Sequence, residues 1–201
     1  IAGDNMKDIH QRLGEIKERI TDKSFRENKG LGNEIGFHIF DYEPKYEMLV
    51  RDYVFNLQKQ INKENSDIKI KEFDLYEIML EVLEQRGYLE KNFEMEQKRG
   101  SEFVFNATEK TLRLTSQNED NKIVQYIIDR TQSDEIVFLT GVGKVWPIIR
   151  SHTVLNNLHR ALDKVPVVLF FPGTYDGGSL MLFNEIKDDN YYRAFQLVDK
   201  Y

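Results

Sequence analysis

Two aspartates, two glycine-bearing stretches and a pair of histidines are the residues of this chain whose type and spacing could do chemistry. Asp41 closes the apolar run Ile35–Tyr42, and Asp74 follows the alternating run Ile68–Phe73. Carboxylates at the ends of two adjacent strands could share a divalent metal. The simpler reading, which is favoured, has Asp41 anchoring a turn before Pro44 and Asp74 capping a helix, with Glu77 completing a capping box. The stretch GVGK at 141–144 invites comparison with a phosphate-binding loop. Such a loop needs GxxxxGK and then Ser or Thr, so that its amides wrap the phosphates and the hydroxyl holds magnesium. Here Phe138 stands where the first glycine would be and Val145 follows Lys144, so a tight strand-to-helix turn is expected instead. The stretch PGTYDGG at 172–178 could offer amides to a phosphate or a ribose, and equally suits a turn that needs positive φ. His152 and His159 are two helical turns apart, about 10 Å, too far to chelate one ion. No GxSxG elbow, HExxH pair or cysteine occurs. No catalytic residue, metal ligand set or cofactor is therefore assigned.

The elements that must position these groups read as α/β. Glu135–Phe183 gives an apolar strand at 136–139, a loop, a helix with Pro147 in its first turn and Ile148, Ile149, Val154, Leu155, Leu158 and Leu162 at helical spacing, and a second apolar strand at 165–171. That is a β-α-β unit with a right-handed crossover, and strands apolar on both faces imply helices on both sides. Upstream, Lys29–Asn33 reads as a turn and Ile35–Tyr42 as a strand. Pro44 opens a helix with Leu49, Val50, Tyr53, Val54, Leu57 and Ile61 on one face. The strict alternation of Ile68–Phe73 marks a strand at the sheet edge. Residues 84–120 read as helical pieces with irregular joins. A short helix follows around Ile123–Ile128, then a turn at Asp188–Asn190 and a last strand at Tyr191–Val198. The expected fold is a mainly parallel sheet of about four to five strands flanked by helices, with P-loop-NTPase-like or Rossmann-like topology but no functional phosphate loop. Residues 1–30 form an N-terminal amphipathic helix; 31–201 form one α/β domain with a helical, less regular insertion around 84–132.

In such a sheet, ligands collect at the carboxyl ends of the strands. The candidate strand-end site is thus Asp41, Asp74, Gly141, Gly143, Lys144, Tyr175 and Asp176. A second candidate is a basic face of Arg150, His152, His159, Arg160 and Lys164, with Lys144 nearby, suited to an acidic partner or a nucleic-acid backbone; an ordinary solvated face is favoured. A third is the narrow stripe Ile9, Leu13, Ile16 and Ile20, preceded by Met6, a seam of coiled-coil type that either packs on its own domain or meets a partner or a second copy. Trp146 beside Pro147 is a packing anchor or a contact residue.

Composition narrows the classes. At 201 residues, with 40% apolar and 12% aromatic residues, the chain can build one domain with a real core. A formal charge of −6 argues against polyanion binding by the surface as a whole. The lack of cysteine removes disulfides and thiolate metal sites. No apolar run approaches the ~20 residues that span a bilayer. Met6–Ile20 is too charged to be a signal peptide.

Four segments carry a family resemblance: NEIGFHIFDYEPKYEMLVRDYV (33–54), FLTGVGKVWPIIRSHTVLNNLH (138–159), VPVVLFFPGTYDGGSLMLF (165–183) and DDNYYRAFQLV (188–198). Together they resemble BrxB, a component of BREX bacteriophage-exclusion systems long catalogued as a domain of unknown function. IRSHTVLNNLH and PGTYDG are the most specific parts. The resemblance implies a cytoplasmic bacterial defence protein, an accessory part of a system that methylates host DNA and blocks phage replication. The implied partners are other components, such as the alkaline-phosphatase-like PglZ or the PglX methyltransferase. The leading expectation is a non-catalytic assembly protein. One alternative is a nucleotide- or metal-dependent enzyme using Asp41, Asp74 and the glycine loops. Another is nucleic-acid binding through residues 144–164, open but not favoured. A homodimer also stays open.

Overall fold

The computed structural model describes residues 6–27, 36–64, 67–116, 120–188 and 194–201. The turn expected at Lys29–Asn33 lies outside them, as do residues 189–190 of the next expected turn and 191–193 of the last expected strand.

Asp8 caps the first helix, α1 (Ile9–Thr21): its carboxylate accepts from the Gln11 amide at 2.9 Å, and the Gln11 side chain accepts from the Asp8 amide at 3.0 Å. A short helix, α2 (Lys23–Glu27), follows, and β1 (Phe37–Tyr42) is buried along its whole length. Pro44 starts a 3-10 turn that leads into α3 (Glu47–Glu64). The next strand is β2 (Lys69–Asp74). After it come the helices α4 (Leu75–Gln85), α5 (Leu89–Arg99), α6 (Ser101–Thr111) and α7 (Lys122–Asp129). Then β3 (Glu135–Thr140) leads through α8 (Val142–Val145) and α9 (Ser151–Ala161) to β4 (Val167–Tyr175). The chain closes with the short β5 (Leu180–Leu182), β6 (Ile186–Lys187) and β7 (Ala194–Gln196).

The main sheet runs β2-β3-β4-β1-β7, every neighbouring pair parallel; β5 and β6 add an antiparallel hairpin to the end of β4. The expected α/β architecture is therefore present. As the alternation in its sequence predicts, β2 is an edge strand.

Both faces of the sheet are covered, and side-chain parity sorts the core. Ile39, Val137, Leu139, Leu169 and Phe171 pack on α4, α7 and α9, while Phe40, Phe138, Val168 and Phe170 face α1 and α3. The chain leaves β1 toward the α3 face and leaves β3 toward the α9 face. The sheet's switch point thus falls between β1 and its neighbour β4.

The N-terminal stripe is not an interaction seam. Ile9, Leu13, Ile16 and Ile20 are buried in the same cluster as Val50, Val54 and Phe40. A 13-residue helix is marginal by itself, and this one finds its apolar partner within the chain. Only Met6, 68% exposed, stays outside.

Candidate functional site

Asp41, last but one in β1 at the switch point, is 1% exposed, and instead of anchoring a turn before Pro44 its carboxylate bonds groups remote in sequence. An isolated buried carboxylate is costly, and this one is surrounded by donors. From α1, Arg12 donates Nη1 to the Asp41 carbonyl at 2.7 Å and Nη2 to Oδ1 at 3.1 Å, with its guanidinium over the Phe40 ring. The Tyr175 amide at the end of β4 donates to Oδ2 at 2.8 Å, Gln196 Nε2 of β7 donates to Oδ1 at 2.6 Å, and Lys200 forms an ion pair with Oδ2. One carboxylate thereby ties together the N-terminal helix, two strands and the C-terminal segment. The Tyr175 hydroxyl donates to the Ala194 carbonyl at 2.9 Å, and burial, with Asp176 nearby, pushes its pKa up to about 12. Beside this hub lies a cleft of about 360 Å³ lined by Lys7, Arg12, Asp41, Tyr42, Thr174 and Lys200 among others.

Asp74 does a different job. Its Oδ1 accepts from the Tyr76 and Glu77 amides at 2.9 and 3.3 Å, capping α4, and its Oδ2 meets Lys144 Nζ. The cap makes no reciprocal bond from Glu77, which instead stands 3.9 Å from Lys144. Two strands separate Asp74 from Asp41, about 14 Å at ordinary strand spacing. The adjacency that a shared metal would need is absent, and the described residues hold no cluster of three or more metal-ligating side chains.

The glycine loops resolve into turns. Gly141 sits at φ 75°, and a Cβ there would come within 2.3 Å of Asp74 Oδ1. It starts the one-turn helix α8, which carries Lys144 to Asp74 rather than to a phosphate. In PGTYDGG, Asp176 accepts from the Gly178 and Ser179 amides and from the Ser179 hydroxyl at 2.7–2.9 Å. Those donors, the Ser179 hydroxyl first, hold its pKa below the usual carboxylate value. Gly177, at φ 92°, completes this turn between β4 and β5.

The basic face is largely committed to carboxylates and rings. Asp188 accepts from Arg150 at 3.0 and 3.2 Å and bonds His152 Nδ1 at 2.7 Å. His159 stacks against Phe37, ring centres 4.8 Å apart. Arg160 and Lys164 are exposed on and just beyond α9. Trp146, 43% exposed, flanks a small cavity with Ile149 and Arg150.

Sequence reasoning missed Arg12, Gln196, Lys200 and Asp188. Arg12 alone left a signal: it lies three residues after Ile9 and beside Leu13, a charge inside the apolar stripe.

The fold and this hub define a parallel α/β protein with both sheet faces covered and its switch point filled by its own chain. The family described as "BREX protein BrxB" matches residues 71–197, and the chain belongs to it. Two relatives carry the description "BREX protein BrxB". The one from Bacillus cereus (strain H3081.97) is 68% identical over 195 residues, 97% of this chain and 100% of its own length. The one from Escherichia coli O9:H4 (strain HS) is 33% identical over 192 residues, 94% of this chain and 92% of its own. No solved structure matches. The chain is thus a BREX component of the BrxB family. Among the described residues no helix is long and apolar enough to cross a membrane.

Proposed function

We propose that this protein is a non-catalytic assembly component of its BREX system, working in the bacterial cytoplasm by protein–protein contact. The observation that carries the reading is the use of the strand-end carboxylates. Asp41 and Asp74, the groups best placed for chemistry, are each bonded by cations and amides of their own chain on strands that do not touch. Both serve as joints between elements, and a rigid jointed scaffold suits a protein that holds others in place. Membership of the family supports the same role, with a PglZ-type or PglX-type protein as the partner. The test is co-expression with the products of neighbouring genes, then size-exclusion chromatography with light scattering. A stoichiometric complex is expected. Failure of every neighbouring product to bind at micromolar concentration overturns the reading.

A second reading rests on the cleft beside Asp41. Its volume is about 360 Å³, and its lining mixes Lys7, Arg12 and Lys200 with Asp8, Asp41 and Glu43, which would suit a small polar ligand such as a nucleotide with its magnesium. Calorimetric titration with ATP, GTP and magnesium decides it. Saturable binding that weakens in Lys7→Ala and Thr174→Ala supports the ligand site. Flat titrations leave assembly alone.

A further inference from the structure

The helices α5 and α6 stand apart from the rest of the molecule. From residue 84 to residue 107 no side chain is buried, and Thr108 is the first that is. Asn92 and Thr108, each eight residues from Gly100, meet at 3.2 Å, so the helices fold back on one another as an antiparallel hairpin. Leu89 at one foot and Leu112 at the other join the main core. The tip is held by the hairpin's own contacts, including Arg99 over the Phe103 ring and Ser101 Oγ to Glu96 at 2.6 Å.

Two large aromatics face outward here: Phe93 is 58% exposed and Phe105 is 37% exposed. Phe93 lies ~100° round its helix from Asn92, and Phe105 lies ~60° round from Thr108 in the same sense. On antiparallel helices, rotations of the same sense lead to the same face, so the two rings share one side of the hairpin.

Their neighbours on the helix surface are the residues three and four positions away. Around Phe93 these are Leu89, Glu90, Glu96 and Gln97; around Phe105 they are Ser101, Glu102, Thr108 and Glu109. Every charged residue among them is a glutamate. The cations of the hairpin stand away from this face: Lys91 lies by Tyr88, Lys98 by Glu94 and Arg99 over Phe103, and Lys110, five residues from Phe105, is ~140° round the helix from it. Two exposed aromatic anchors ringed by carboxylates fit a surface with apolar pockets ringed by Lys and Arg, and they repel a phosphate backbone.

We infer that this hairpin face, Phe93 and Phe105 with Glu90, Glu96 and Glu102, docks a basic, apolar-pocketed protein surface. The inference rests on the assembly reading and says where the partner binds. The test uses the full chain and whichever neighbouring gene product co-purifies with it. The variants are Phe93→Ser/Phe105→Ser, the triple Glu90→Gln/Glu96→Gln/Glu102→Gln, and Trp146→Ser as a control outside the hairpin. Circular dichroism checks that each folds, which is expected because none of these side chains is buried. The phenylalanine pair is expected to weaken binding at least ~30-fold, the scale of losing one strong interface anchor. The glutamine triple is expected to flatten the loss of affinity between low and high salt, and Trp146→Ser to bind as wild type. Wild-type binding by both hairpin variants overturns the inference and leaves the assembly reading standing. A hairpin variant that abolishes only self-association, seen by light scattering, also overturns it, in favour of a second copy as occupant. Absence of any wild-type complex overturns both.

Discussion

The Arg12 guanidinium spans the end of β1, one nitrogen on the Asp41 carbonyl and another on its carboxylate, with less than a tenth of either side chain exposed. This pair joins α1 to the sheet at the place where an α/β protein usually opens a ligand crevice. Breaking a buried pair by removing one partner strands the other. Asp41→Asn is therefore expected to lower unfolding stability by about 3–5 kcal/mol, read by urea denaturation. The double variant Arg12→Met/Asp41→Asn should recover part of that loss, because it removes the stranded guanidinium. A double variant as unstable as the sum of its singles would mean that the two groups act independently.

The buried stripe of α1 gives a second expectation. Ile16→Ala should destabilise the isolated protein by about 2–5 kcal/mol, as large-to-small changes in a core do. The loss belongs to the fold, so it should appear in the thermal melt of the purified chain without a partner. An unchanged melt accompanied by a lost complex would reinstate the seam as an interface.

His38 sets a pH dependence. It is 4% exposed within β1, its ring 4.6 Å from Phe25, and Nδ1 lacks a hydrogen-bond partner. Burial first, and the Arg19 charge second, lower its pKa to about 4. A folded pKa below the unfolded value means that the unfolded chain binds the proton first. The stability is complete above about 6.5 and drains away as pH falls toward 4, on the order of 3 kcal/mol in all. Denaturation midpoints measured across pH 4–7 should show this slope, and His38→Phe should flatten it. Equal slopes in the two proteins would remove His38 as the cause.

Glycine substitutions should divide by what a methyl group would meet. At Gly14, on the exposed side of α1, a Cβ has nothing within 4 Å, so Gly14→Ala should stabilise by about 0.5–1 kcal/mol through helix propensity. At Gly173 a Cβ would fall 2.1 Å from the Met181 carbonyl across the β4–β5 pairing. Gly173→Ala must open that pairing and should cost about 1–3 kcal/mol or more. At Gly143 the obstacle is the edge of the Phe183 ring at 2.9 Å, a side chain that can turn, so Gly143→Ala should fall between the two. Thermal melts of the three variants check the order.

Periodicity was enough to place most elements, because burial leaves its mark locally. The apolar runs at 136–139 and 165–171 became the central β3 and β4, the alternation of 68–73 marked the edge strand β2, and Pro44 did open the turn before α3. The strand-end turns were legible for the same reason, since the glycines of GVGK and PGTYDGG answer to backbone geometry within a few residues. The cap that Asp74 makes was legible, but what the polar groups bond beyond their own turns was not. Asp41 draws donors from residues 12, 175, 196 and 200, Asp74 from residue 144, and Asp188 from residues 150 and 152. Those partners are chosen by strand order, which places β3 and β4 between β1 and β2 and keeps the two aspartates apart. The stripe of α1 is the same case: its spacing shows that the helix has an apolar side, while the α3 and sheet residues that cover it come from elsewhere in the chain. A chain's local pattern states which surfaces must leave water; which surface meets which depends on contacts between residues far apart in sequence, and only the folded structure brings those together.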